Sequence, residues 1–84
     1  MYEYAKEREK LFTDAGQRLF LEVRDNVKSR LKHAGAVRMQ EAISTAGDSW
    51  MLLACVDRMV ELGELCEVTQ SVVMTQHRIF TEGR

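Results

Sequence analysis

The stretch Ser49-Trp50-Met51-Leu52-Leu53-Ala54-Cys55-Val56-Asp57-Arg58-Met59-Val60-Glu61-Leu62-Gly63-Glu64-Leu65 decides how the whole chain is read. Within it Leu52, Val56, Met59 and Val60 recur at i, i+4, i+7 and i+8, the spacing that lines one face of an α-helix. Gly63 follows, and glycine takes the positive φ of a helix stop at no steric cost, so the spacing predicts a helix from Trp50 to Leu62. Upstream, Ser44-Thr45-Ala46-Gly47-Asp48-Ser49 reads as a turn. Its Asp48 or Ser49 would cap the helix by accepting from backbone amides of the first turn. Downstream the period shortens. Leu65-Cys66-Glu67-Val68-Thr69 and His77-Arg78-Ile79-Phe80-Thr81 are short, β-favouring runs separated by Gln70 to Gln76. Together they predict a hairpin, which must pack on helices because two strands alone are not stable in water.

Toward the N-terminus, Leu11, Ala15, Leu19, Val23, Val27 and Leu31 recur every four residues and predict a long helix over 4–33. Phe12 and Phe20 widen its apolar stripe. Thr13-Asp14 offers a second starting point, which would split off Lys6-Glu7-Arg8-Glu9-Lys10 as a turn of its own. Lys32 and His33 suit the negative end of the helix dipole, and Ala34-Gly35 reads as the stop. A shorter helix is expected over 36–44, carrying Val37, Met39, Gln40 and Ile43. The expected core is Leu19, Val23, Val27, Leu31, Val37, Ile43, Leu52, Val56, Met59, Val60, Leu65 and Phe80. Leu21 falls outside the stripe, about 200° around the helix from Val23, and with Tyr2 and Tyr4 marks a candidate intermolecular face.

Helix, helix, turn, helix and then a hairpin resembles the winged helix-turn-helix superfamily. Ser49 to Leu65 looks like its recognition helix running into the first wing strand, and Gln76-His77-Arg78-Ile79-Phe80 is similar to the returning strand. The resemblance covers roughly residues 36–82, with the long first helix as further support. It implies a mainly α fold with a small β-hairpin: a three-helix core plus a two-stranded wing. All 84 residues would form one domain, with the first helix over 4–33, the helix-turn-helix over 36–62 and the wing over 65–81. It also implies a non-enzymatic module that typically binds DNA with its third helix in the major groove.

The charges point elsewhere. Net charge is −1, so no bulk attraction to nucleic acid or anionic lipid exists, and DNA is a disfavoured partner. Residues 17–40 carry net +4 and residues 41–84 net −4. That split implies either self-association by opposite patches or a basic helix packed beside an acidic one. The third helix offers Asp57, Arg58 and Glu61 to solvent, a poor set for base edges and phosphates. The tip Ser71-Val72-Val73-Met74-Thr75 holds no Arg or Lys, although side chains that enter minor grooves are usually cationic.

Trp50 and Met51 with Val72, Val73 and Met74 are therefore candidates for protein contact, as are Leu21, Tyr2 and Tyr4. Were DNA bound instead, Arg24, Lys28, Lys32, Arg38, Arg58 and Arg78 would contact it.

Cys55 and Cys66 form no CxxC pair, and with His33 and His77 they lack the spacing of a zinc site, so no metal is expected. The chain shows no nucleophile with a nearby base and no phosphate-cradling glycine loop. No enzyme activity, cofactor or small-molecule substrate is expected. No apolar run reaches the ~18–20 residues of a membrane span, and Met1 to Lys10 is too charged for a signal peptide. The sequence expectation is a small cytoplasmic regulatory or adaptor module acting through a protein partner or as a homodimer. Its size would suit a bacterial or phage-encoded regulator. The alternative is a DNA-binding transcriptional regulator.

Overall fold

The computed structural model describes residues 1–68 and 78–83, and in it Thr13 breaks the helix expected over 4–33. A short helix α1 (Tyr4–Glu7) runs into a 3-10 turn (Arg8–Phe12), and α2 (Asp14–Ala34) starts afresh. The second starting point is the one adopted. Thr13 is extended, at φ −91° and ψ 163°, and its hydroxyl accepts from the Gly16 amide at 3.1 Å. Gly16 allows the fold-back, since a Cβ there would lie 2.1 Å from the Lys10 carbonyl oxygen. The close approach seats Leu11 in the core at 1% exposure. Gln17 then ties the turn down by donating to the Leu11 carbonyl at 2.7 Å. At the far end Gly35 takes φ 77° and its amide caps the Leu31 carbonyl at 2.8 Å.

The helix expected over 36–44 is corrected. Ala36–Arg38 forms a strand, β1, and only Met39–Ala42 is helical, as α3. Both the burial alternation and the pairing explain this. Val37 points inward between exposed Ala36 and Arg38, the period of a strand rather than a helix. Its partner β3 (Ile79–Glu82) has two edges to satisfy. One pairs antiparallel with β2 (Leu65–Glu67) and the other with β1, with Val37 opposite Phe80. The expected two-stranded wing is therefore part of a three-stranded antiparallel sheet in the order β1-β3-β2.

The last long helix, α4 (Ser49–Glu61), follows the sequence reading closely. Asp48 is its cap, accepting from the Trp50 and Met51 amides at 2.9 and 3.2 Å. α4 packs across α2, and the sheet closes the same apolar volume. Val23, Val27, Val37, Leu52, Val56, Met59, Leu65 and Phe80 are buried as expected, while Leu19, Leu31, Ile43 and Val60 border the core half-buried. Leu11, Met39, Ala42, Ala54 and Cys55 join them. The result is a mainly helical fold with a small antiparallel sheet. Among the described residues no helix is long and apolar enough to cross a membrane.

Candidate interaction surface

Ala54 lies about 200° around α4 from Leu52, yet it too is buried in the core cluster, at 0% exposure. The chain's own N-terminal segment packs on α4 through both α1 and the 3-10 turn. Its polar contacts run along the same face. The Tyr2 hydroxyl donates to Asp57 Oδ2 at 2.6 Å, and the Tyr4 hydroxyl donates to Glu61 Oε1 at 2.8 Å. Arg8 Nε donates to Glu61 at 2.9 Å, and Arg58 reaches the same carboxylate.

These contacts shift the groups that make them. Burial, reinforced by the Asp57 carboxylate, pushes the Tyr2 phenol above its ordinary value. Burial and Glu61 push Tyr4 up to about 12, while Arg8, Arg58 and Tyr4 hold Glu61 down at about 2. Tyr2 and Tyr4 thus do not share a free face with Leu21. They are half-buried against the core and bonded to α4, whereas Leu21 stands exposed on α2.

The six cations that could contact nucleic acid are mostly spent within the chain. Arg24 and Lys28 meet Glu64 at 2.7 and 3.5 Å, Arg38 meets Glu41 at 3.6 Å, and Arg58 meets Glu61. Arg78 spans Asp57 at 2.8 Å and Glu67 at 2.7 Å with its guanidinium 5.1 Å from the Phe80 ring centroid. Burial alone would lower the Arg78 pKa, but the carboxylates of Glu67 and Asp57 hold it above the usual arginine value. Among the described residues, Lys32 alone of the six makes no ion pair. The basic and acidic halves of the sequence meet inside one molecule.

Several large apolar side chains are exposed as well. Trp50, in the first turn of α4, is 42% exposed, and Met51 beside it is half-buried. Leu62 and Val68 are also exposed. The other protein-contact candidates, Val72, Val73 and Met74, lie outside the described residues. Sequence reasoning missed Phe12, assigned to the α2 stripe, because the break at Thr13 re-aims it. The ring is 52% exposed, with the Arg8 and Arg58 guanidinium groups 5.0 and 5.3 Å from its centroid.

A cavity of about 500 Å³ opens between the second half of α2 and the α4–β2 turn, walled by Leu31 and Leu62. Lys28, Lys32, Glu64 and Glu82 rim it with mixed charge. Among the described residues no three His, Cys, Asp or Glu side chains come together to hold a metal ion. Cys55 is buried, and burial pushes its thiol up to about 12, so it is a poor nucleophile; Cys66 is exposed. No known family, curated protein or solved structure matches the chain.

Proposed function

We propose that this chain is a small non-enzymatic regulatory or adaptor module of winged-helix type that acts through protein contact. One observation carries the reading: the outer face of α4 is occupied by the chain's own residues. Tyr2, Tyr4 and Arg8 lie where a recognition helix would meet base edges, and they hold Asp57 and Glu61 against it. Electrostatics agree, because five of the six candidate phosphate contacts already have carboxylate partners. Exposed Trp50 at the open end of α4 is the anchor such a module would offer, since buried aromatic residues dominate interface energetics. The order of helices and the strands that follow α4 support the winged-helix reading of the fold.

The competing function is DNA binding, and titration of duplex DNA separates the two. At ~150 mM salt we expect no binding tighter than micromolar and only a shallow dependence on salt. Sub-micromolar binding with a steep salt slope would reverse the assignment, since such a slope counts phosphate contacts that this surface does not supply.

A further inference from the structure

We infer that the cavity between the second half of α2 and the α4–β2 turn binds a small zwitterion with an apolar body, of dipeptide size. The site is separate from the protein-contact surface and does not depend on that reading. At about 500 Å³ the cavity falls within the range of ligand sites. One wall is Leu31, which is half-buried. The other is Leu62, which stands 47% exposed, so a ligand that covers it takes apolar surface out of water.

Charge on the rim selects the ligand. Of the four charged side chains there, two are already engaged with each other. Glu64 meets Lys28 at 3.5 Å and is also held by Arg24, one turn earlier in α2, at 2.7 Å. Lys32 and Glu82 differ. Both rim the cavity, yet among the described residues neither makes an ion pair, with the other or with any third group. A ligand with a carboxylate for Lys32 and an ammonium for Glu82 satisfies both, and its apolar middle lies on the leucines. A singly charged ligand satisfies only one. A dipeptide with two apolar side chains has the required outline.

The cavity is built before any ligand arrives. At the end of α4 the Gly63 and Glu64 amides donate to the Val60 and Met59 carbonyls at 3.0 and 2.9 Å. The chain leaving β3 is stitched onto this turn. The Gly83 amide donates to the Glu64 carbonyl at 2.9 Å, and a Cβ at Gly83 would lie 2.0 Å from the Gly63 oxygen. The Glu64 carboxylate ties the same turn to α2. Three segments distant in sequence are thus held around one space, which lowers the ordering cost of binding.

The probe is leucyl-leucine, titrated at low ionic strength into isotope-labelled full-length chain while the Leu62, Gly63 and Gly83 amides are followed by NMR. These amides should shift saturably with Kd on the order of a millimolar, a modest affinity for a ligand of this size. N-acetylation removes the ammonium and amidation removes the carboxylate. Each should weaken binding about threefold to fivefold, the contribution of one exposed ion pair. Diglycine, with the same termini and no side chains, should bind at least about tenfold more weakly. Lys32→Ala should bind leucyl-leucine and its amide alike, and Glu82→Gln should bind leucyl-leucine and its acetylated form alike. Neither side chain has an ion pair to lose, so both variants should melt like the parent. Amides that ignore the dipeptide up to ~10 mM overturn the inference. So do capped forms or diglycine that bind as tightly as leucyl-leucine, and so do variants that keep the parent's preferences.

Discussion

Gly16 and Gly35 are both glycine for backbone reasons, but the reasons differ and so do the expected costs. At Gly16 an added methyl meets backbone, with the Lys10 oxygen at 2.1 Å and Leu11 Cα at 2.7 Å, and neither can move without unseating Leu11. At Gly35 nothing lies within 4 Å, and only the φ of 77° is unfavourable. Urea unfolding should show Gly16→Ala losing about 2–4 kcal/mol, as overpacking against rigid neighbours does. Gly35→Ala should lose about 1 kcal/mol, the cost of a left-handed non-glycine residue. Equal losses would mean that the fold-back at residues 10–16 is not tight.

Arg78 poses a second residue-scale test. Its one guanidinium spans two half-buried carboxylates, so Arg78→Ala removes both ion pairs at once and should cost about 2–4 kcal/mol. Arg78→Lys should recover little, because a single ammonium cannot reproduce the planar fork. Val56→Asp, at a site 0% exposed, should be worse than either.

Elements were legible in the sequence wherever their signals are local. Period and cap sit together in Asp48 to Gly63, so the start, face and end of α4 follow from that stretch alone. The stop at Gly35 is legible for the same reason. β1 was not, because three residues show no period and its partners Ile79, Phe80 and Thr81 lie at the other end of the chain. The seat of Tyr2 and Tyr4 on α4 was hidden likewise, since nothing near them in sequence announces Asp57 or Glu61. The outward position of Trp50 was legible from its angle, about 160° from Leu52, which sets it off the apolar face of α4. The break at Thr13 was visible as a cap but weaker than the four-residue stripe running through it. If that cap starts α2, Thr13→Ala should cost about 1 kcal/mol in thermal or urea unfolding. An unchanged stability would mean that Gly16 and Leu11 alone hold the break.

For the whole molecule, internal charge pairing and burial set how stability depends on pH. Glu61 titrates at about 2 in the fold against an ordinary 4.5, and Glu41 is also lowered, chiefly by the Arg38 amide. A carboxylate depressed in this way adds stability above its unfolded pKa, and the contribution drains away as pH falls from ~4.5 toward ~2. The alkaline side has the opposite sign. Cys55 rises from 9.0 to about 12 and Tyr4 from 10.0 to about 12, so the fold prefers their neutral forms. That preference is fully present below ~9 and is lost as pH climbs through ~12, with Cys55 titrating first. Urea midpoints should therefore form a plateau between pH ~5 and ~9 with a fall on each side. The acid fall rests on exposed pairs such as Arg8 with Glu61, so half-molar salt should shrink it. The first part of the alkaline fall rests on burial of an uncharged thiol, so salt should leave it unchanged and Cys55→Ala should delay its onset. An acid limb as deep at half-molar salt as at low salt would show that the pairs on α4 add nothing there. The same pairing bears on self-association, because it takes up within one chain much of the charge that opposite patches would offer a second copy. Sedimentation at tens of micromolar should be indifferent to salt, and any dimer present should depend on apolar surface, with Leu21→Glu and Trp50→Ser the substitutions that locate it.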